Sequence, residues 1–158
     1  MARIRIEGMI TGNANTLKML RDIEKAKQVK ALMVHIDSPG GTTAGSEAIY
    51  EHLRDIAKDR PVVAVMDTVA ASGGYITAIG ADHIVARGNT ITGSIGVIFQ
   101  WAQVKDLLTN LGITFRERKS GELKAEPNMF DEPSEKALAV TDAMGRGEQP
   151  ERVGRRLA

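Results

Sequence analysis

The stretch Asp67-Thr-Val-Ala-Ala-Ser-Gly-Gly-Tyr75 connects an apolar run at residues 62–66 to a segment of small residues at 76–81. This order predicts a buried strand, a sharp turn at Ser72 and a closely packed helix. The two glycines after Ser72 lack the Cβ that would keep a bound group away from the backbone. A helix that begins at this turn also offers free N–H groups to an oxyanion. The same residues suit a turn that only brings helix and sheet close together, so both interpretations stay open from this stretch alone.

Further strands and helices alternate on both sides of the turn. Predicted strands cover residues 3–6, 31–36, 62–66, 83–86, 92–99 and 114–118. Predicted helices follow the cap residues 13–16, cover residues 43–58, begin after Ser72, and cover residues 101–111 and 135–144. In the helix at 101–111 the residues predicted to face inward are Val104, Leu107, Leu108 and Leu111. Strands that alternate with helices are typical of an α/β domain with a largely parallel sheet.

A second glycine-rich turn, Asp37-Ser-Pro-Gly-Gly41, is predicted where the strand at 31–36 ends. Ligand sites of parallel sheets lie off the carboxyl ends of the strands. Because both turns follow neighbouring parallel strands, we expect Gly40 and Gly41 to face the same crevice as Ser72 and Gly73. One turn would then offer backbone amides and the other a hydroxyl group.

Composition narrows the classes of function. The chain has 158 residues, enough for one domain, and its formal net charge of +1 gives no basic surface for nucleic acid. Without cysteine it has neither disulfides nor a cysteine nucleophile. His35, His52 and His83 lack the spacing of metal ligands, and no phosphate-binding glycine motif is present. We therefore expect no metal and no cofactor. No apolar run approaches the ~18 residues that span a bilayer.

A serine nucleophile needs a base that accepts its proton. None of the three histidines lies in a polar loop that would face the crevice. A lysine can replace the histidine in such sites. The loop Lys119-Ser-Gly-Glu-Leu-Lys124 follows the last predicted strand and supplies two candidate lysines.

Residues 2 to about 143 resemble the signal peptide peptidase A family of serine proteases, which belongs to the Clp-protease/crotonase-like superfamily. The matching segments are Asp37-Ser-Pro-Gly-Gly41, Ala70-Ala-Ser-Gly-Gly-Tyr75, Ala81-Asp82, Thr92-Gly-Ser-Ile-Gly-Val97 and Lys119-Ser-Gly-x-x-Lys124. Each segment alone is a modest match, whereas their order and spacing together are highly specific. The resemblance implies a crotonase/Clp-protease-like fold of repeated β-α-β units.

The resemblance also implies a Ser/Lys dyad, with Ser72 as the nucleophile and Lys124 as the base. It implies an oxyanion hole near Gly41 and Gly73. The Clp-type catalytic subunit instead carries a histidine beyond its serine. Here that region reads Ile95-Gly-Val-Ile98, so the Clp triad is missing.

The expected substrate is an extended peptide that an apolar cleft would accept as an added strand. The residues expected to bind it are Gly40 and the docking edge formed by Ile95, Gly96 and Val97. By resemblance, the function is that of a serine endopeptidase that hydrolyses signal peptides and other apolar segments. An alternative is a truncated, catalytically inactive relative that acts as an interaction module. An acyl-CoA enzyme of the crotonase type is a third possibility, which the Ser72 and Lys124 pair disfavours.

Both ends of the chain depart from the family pattern. Family members are homo-oligomers associated with the bacterial inner membrane through an anchor, whereas this chain begins almost directly on its first predicted strand. We expect a peptidase domain over residues 1–144 that is incomplete at its C-terminal end, with weak or absent assembly. Residues 145–158 have few apolar side chains to bury and are predicted to form a disordered tail. Without an anchor in the given sequence, the chain is expected either to be soluble or to be a fragment of an anchored protein.

Overall fold

A computed structural model of the chain describes residues 1–121 and 123–147. They fall into two compact units, Met1–Ile95 and a second unit that begins at Gly96. Most of the predicted disordered tail, from residue 148 onward, lies outside the described residues, so that prediction stays a prediction.

The first unit is a parallel sheet with helices in its crossovers. Its strands are β1 (Ala2–Ile10), β2 (Leu32–Gly41), β3 (Val62–Ala71), β4 (His83–Ala86) and β5 (Ile91–Gly93), and its helices are α1 (Ala14–Lys25), α2 (Thr43–Ala57) and α3 (Gly73–Ala78). The sheet order is β1-β2-β3-β4, and β5 pairs with the far end of β3. All of these strand pairs are parallel. The predicted α/β class with a largely parallel sheet is confirmed.

One face of this sheet carries the hydrophobic core. Ile4, Val34 and Ala64 are directly in register on neighbouring strands, and all three are buried. The helices cover them with apolar side chains at helical spacing, of which Leu20 in α1 and Leu53 in α2 are fully buried. Successive residues of a strand point to opposite faces, so the alternating burial along β1, β2 and β3 places the core on one face of the sheet.

The helix starts of this unit follow local capping rules. The side chain of Asn13 accepts a hydrogen bond from the N–H of Asn15 at the start of α1. The Thr42 Oγ1 accepts one from the N–H of Gly45 at the start of α2. Such side-chain oxygens satisfy amides that have no partner within the helix. The helix predicted at 43–58 therefore holds to within one residue, and α1 begins within the predicted cap residues 13–16.

β2 is longer than predicted, because the chain does not turn at Asp37 but stays in the sheet as far as Gly41. Gly40 and Gly41 pair with Met9 and Ile10 after an irregularity in β1. Gly40 has φ +114°, a backbone conformation that side chains rarely allow. The expected glycine turn is thus not a turn. The strand continues to Gly41, with a distortion at Gly40 that glycine permits.

The strand predicted at 92–99 is also wrong beyond its first residues, since β5 ends at Gly93. Gly93 and Ser94 both have positive φ, +84° and +52°, and this pair turns the backbone out of the extended conformation. Residues 94–104 form neither helix nor strand.

The described residues of the second unit form two helices, α4 (Lys105–Asn110) and α5 (Glu135–Gly145). α4 begins later than the predicted helix at 101–111, because the N–H of Val104 donates to the carbonyl oxygen of Met129 at 2.8 Å. Leu107 and Leu111 are 58% and 64% exposed, so their predicted inward orientation is wrong.

No strand forms at 114–118, where none of the described residues offers a pairing partner. α5, in contrast, begins where predicted, and its cap Ser134 accepts a hydrogen bond from the N–H of Ala137 at 3.1 Å. Within the described part of the chain, no helix has both the length and the apolar character needed to cross a bilayer.

Candidate active site

Ser72 lies at the sharp turn between β3 and α3. Its backbone has φ 50° and ψ −118°, and a positive φ is uncommon for any residue other than glycine. The turn is held on both sides, because the Ser72 N–H donates to the carbonyl oxygen of Gly93 at 2.7 Å and the Ser72 carbonyl oxygen accepts from the N–H of Ile76 at 3.0 Å. Backbone strain that neighbouring structure maintains in this way is typical of functional sites.

The side chain of Ser72 is half-buried. Its hydroxyl makes no hydrogen bond to any other residue that the structure describes, and it does not cap α3. A serine at a helix start usually satisfies one of the free amides of the first turn. Ser72 is therefore held by its backbone while its hydroxyl stays available to another molecule.

The end of β2 lies in backbone contact with this turn. A Cβ on Gly40 would come within 2.8 Å of the Ser72 Cβ and 2.9 Å of the Gly73 nitrogen. A Cβ on Gly73 would come within 3.3 Å of the Gly41 nitrogen. The predicted site residues Gly40, Gly41, Ser72 and Gly73 are thus brought together, and only glycine fits at these contacts.

Two buried serines that the sequence did not single out support this contact. The Ser38 Oγ donates to the Gly8 carbonyl oxygen at 2.6 Å and accepts from the Gly40 N–H at 3.1 Å. The Ser46 Oγ donates to the Thr42 carbonyl oxygen at 3.0 Å and lies where a Cβ on Gly73 would be. Ser38 belongs to the S-P-G-G motif, so the sequence could have indicated its role. No sequence pattern near Ser46 indicates its role beyond its position in α2.

Lys124 belongs to the second unit and is exposed. Its N–H donates to the Gly121 carbonyl oxygen at 3.1 Å, which closes a tight turn. Its Nζ lies 3.4 Å from the Ser120 Oγ, a long hydrogen bond. Among the described residues, the amine therefore has one weak partner.

Lys119, the other lysine of the loop, has different surroundings. Its Nζ lies 2.6 Å from the Glu117 Oε1 and 2.6 Å from the Glu126 Oε1. Hydrogen bonds to these two carboxylates, first that of Glu117 and then that of Glu126, raise the pKa of Lys119 above its ordinary value. A lysine that is held protonated in this way is a poor general base.

The residues expected to bind substrate beyond Gly40 lie at the boundary of the units. Ile95 ends the first unit, and Gly96 and Val97 begin the second. Ile95 is 67% exposed and Ile98 is 79% exposed, so this segment presents apolar side chains without regular structure.

A separate pocket of about 360 Å³ lies on the sheet and contains none of the candidate site residues. It is lined by Arg5, Asp37, Asp67, Thr68, Arg87 and Asn89. The Asp37 carboxylate accepts a hydrogen bond from the Val69 N–H at 3.0 Å. The Asp67 Oδ2 lies 3.5 Å from the His35 Nδ1, which makes no hydrogen bond to a described residue. His35 is thus part of a polar pair on the sheet and not a partner of Ser72.

Comparison with known sequences identifies the family. A profile of Peptidase family S49 matches residues 54–144, more than half of the chain, and a profile of Clp protease matches residues 4–92. The chain belongs to peptidase family S49. The resemblance found in the motifs is therefore confirmed, together with its relation to the Clp-type proteases.

Curated relatives of this S49 chain include proteases from several bacteria. A predicted protease of Synechocystis sp. is 38% identical over 166 aligned positions, which cover 100% of this chain and 59% of the relative. A predicted signal peptide peptidase SppA of Enterococcus faecium is 39% identical over 80% of this chain and 37% of its own length. Protease 4 of Salmonella typhi is 38% identical over 65% of this chain and 17% of its own length. The chain thus spans less than two thirds of these relatives.

Solved structures agree on the fold. Two variants of the 1510-N membrane-bound stomatin-specific protease superpose with TM-scores of 0.54 and 0.53 at 20% sequence identity. Each match covers 96% of this chain, and 66% or 62% of the solved chain. This chain therefore has the fold of the S49 and Clp-like proteases.

Proposed function

We propose that this S49 chain is a serine endopeptidase that cleaves peptide bonds by acyl transfer to Ser72. The observation that carries the proposal is the turn at Ser72. It combines a positive φ at Ser72, a hydroxyl without a partner among the described residues, and close contact of Ser72 and Gly73 with Gly40. A turn that only brought helix and sheet close together would need glycines at the contact. It would not need a serine in a strained conformation whose hydroxyl makes no hydrogen bond.

The proposed chemistry begins with Lys124 as a neutral amine. It accepts the Ser72 hydroxyl proton while the Ser72 Oγ attacks the carbonyl carbon of the peptide. The backbone N–H groups of Gly41 and Gly73 bind the resulting oxyanion. The C–N bond then breaks, the Lys124 ammonium returns its proton to the leaving amine, and an acyl ester remains on Ser72. Water attacks this ester with Lys124 again as the base, which releases the acid and restores the serine.

The choice of Lys124 over Lys119 is supported by their surroundings. Lys119 is paired with two carboxylates at 2.6 Å, whereas Lys124 is exposed with one long hydrogen bond. Among the described residues, Lys124 is therefore the less constrained of the two amines. The two groups of the dyad belong to different units of the chain.

The proposed substrates are apolar peptides in extended conformation, including cleaved signal peptides. Support comes from the apolar, exposed segment around Ile95 and Ile98, which could pair with such a peptide. It also comes from the names of relatives, one a predicted signal peptide peptidase and another a membrane-bound protease. We propose action at a bacterial membrane on the same grounds. The expected weak or absent assembly of the chain stays a prediction.

Labelling with a fluorophosphonate tests the nucleophile. We expect one adduct on the full chain, located at Ser72 by peptide mass spectrometry and lost in Ser72→Ala. Cleavage of a fluorogenic apolar peptide should be lost in Ser72→Ala and in Lys124→Ala. An adduct at another serine would contradict the assignment of Ser72. A folded chain that neither reacts nor cleaves would favour the inactive interaction module.

A further inference from the structure

The loop that carries Lys124 is closed at its base by an ion pair. Lys119 and Glu126 lie at the two ends of this loop, and their Nζ and Oε1 atoms are 2.6 Å apart. Glu117 holds the same amine at 2.6 Å from the other side. We call these three residues, Glu117, Lys119 and Glu126, the loop clamp.

Within the loop clamp, the pair of Lys119 and Glu126 is better shielded from water than Lys124. The side chain of Glu126 is 10% exposed and that of Lys119 is 20% exposed, whereas Lys124 is exposed. The Glu126 Oε1 accepts a hydrogen bond from the Lys119 Nζ, and the Asn128 Nδ2 lies 3.5 Å from the same oxygen. The Glu126 Oε2 is buried without a hydrogen bond to any described residue. A buried carboxylate without a partner costs free energy. The ion pair with Lys119 is therefore the main interaction that offsets the burial of Glu126.

The residues that follow Glu126 fasten the base of the loop to the rest of the second unit. The Asn128 Oδ1 accepts from the N–H groups of Phe130 and Asp131, at 2.8 and 3.0 Å. Phe130 stacks on Phe115 with ring centroids 3.8 Å apart. The Glu126 end of the loop is therefore anchored by neighbouring contacts. Because Lys119 is paired with Glu126, the loop clamp also restrains the Lys119 end.

We propose that Lys119 and Glu126 are positioning residues that hold the loop so that Lys124 is presented as the base. This inference rests on the proposed function of Lys124. A short loop whose ends are joined has far fewer conformations than one whose ends move separately. Misplacement of a reacting group by about 1 Å can cost on the order of 10²-fold in rate. Lys119 thus acts through Lys124 and does not itself contact the reacting atoms.

Kinetics of the full chain on a fluorogenic apolar peptide test the catalytic role. We expect Lys119→Met and Glu126→Gln each to lower kcat by roughly 10- to 100-fold, with KM changed less than about 2-fold. The double variant should be no slower than the worse single variant, since both remove the same pair. Lys119→Arg should retain most of the activity, because a guanidinium can bond both carboxylates.

Lys105→Met is the matched control. It removes another lysine of the second unit that pairs with a carboxylate, Asp131 at 3.2 Å, but lies outside the loop. Its kcat should stay within about 2-fold of the wild type, as expected for an exposed pair. An equal loss of kcat in Lys105→Met and Lys119→Met would overturn the specific role of the loop clamp.

Hydrogen exchange of the backbone amides tests the clamp without any enzyme activity. Peptides that cover residues 119–126 should exchange at least about 10-fold faster in Lys119→Met than in the wild type or in Lys105→Met. Unchanged exchange overturns the clamp. Faster exchange with an unchanged kcat overturns the positioning of Lys124. A wild-type chain that cleaves nothing contradicts the proposed function, and with it the catalytic role, while the exchange result still decides whether the clamp exists.

Discussion

Gly40 and Ser72 are in such close contact that a Cβ on Gly40 would lie 2.8 Å from the Cβ of Ser72. The two residues end neighbouring parallel strands, since Gly40 lies in β2 and Ser72 directly follows β3. Gly40 also has φ +114°, so its conformation and its neighbour both exclude a side chain. The candidate nucleophile is thus positioned by a glycine on another strand as well as by its own turn.

Gly40→Ala is therefore expected to disable the site. The new methyl group would contact the Ser72 Cβ and the Gly73 nitrogen at 2.8 and 2.9 Å, and a non-glycine residue at this φ costs about 1–3 kcal/mol. We expect the midpoint of urea unfolding to fall and peptide cleavage to drop by at least about 100-fold.

Gly88→Ala is the control, because Gly88 has open space where a Cβ would be and no positive φ. Its unfolding midpoint and activity should match those of the wild type. A Gly40→Ala variant with full activity would show that the contact between the two strand ends is not needed.

The part of the fold around Ser72 is predictable because its signals are local. Buried parallel strands need continuous apolar runs, and the runs at 31–36 and 62–66 became β2 and β3. Thr42 caps α2 through a side-chain hydrogen bond that depends on nearby residues only. The sequence also placed the two glycine motifs at one edge of the sheet, which follows from parallel topology.

The remaining differences come from contacts between distant parts of the chain. Val104 lies outside α4 because its N–H donates a hydrogen bond to the Met129 carbonyl oxygen. No sequence pattern near residue 104 predicts that partner. β2 continues through Gly41 because Ile10 of β1 pairs with it. Apart from the family motif, nothing in the sequence distinguishes Lys119 from Lys124, whereas in the structure the carboxylates of Glu117 and Glu126 pair with Lys119.

Ser38→Ala should destabilise the chain through a buried polar group. The Ser38 hydroxyl is fully buried and joins Gly8 and Gly40, so its loss leaves the Gly40 N–H and the Gly8 carbonyl without this partner. We expect a loss of about 1–3 kcal/mol in the free energy of unfolding. Thr109→Ala removes an exposed hydroxyl bonded to Lys105 and should cost less than about 0.5 kcal/mol. Equal losses in urea unfolding of the two variants would refute this expectation.

The stability supplied by Lys119 should depend on pH in a defined direction. Hydrogen bonds to Glu117 and then Glu126 raise the pKa of Lys119 above the ordinary value of 10.5, so the folded state binds this proton more tightly than the unfolded chain. The stabilisation is complete below the unfolded pKa and is lost as pH rises through the raised value. We expect Lys119→Met to lower the urea midpoint equally between about pH 7 and 9, and by less above about pH 11. A difference that grows with rising pH would contradict the assigned pairing.

Gly73→Ala separates packing from catalysis at the proposed oxyanion hole. A Cβ at this position would overlap the Ser46 Oγ and lie 3.2 Å from the Ser46 Cβ and 3.3 Å from the Gly41 nitrogen. The variant should therefore unfold at lower temperature and lose activity. Adding Ser46→Ala removes the overlapping oxygen and leaves only the two tighter-than-usual contacts.

The double variant Gly73→Ala/Ser46→Ala should recover more of its stability than of its activity. A shift of a few tenths of an ångström relieves the remaining contacts, but it moves the Gly41 nitrogen, and loss of one oxyanion donor typically costs about 10²- to 10³-fold in kcat. Thermal unfolding and peptide cleavage, each compared with Ser46→Ala alone, measure the two effects. We expect most of the melting temperature to return while kcat stays at least about 10-fold low. If both recover together, the spacing between Gly41 and Gly73 serves packing and the oxyanion is stabilised elsewhere.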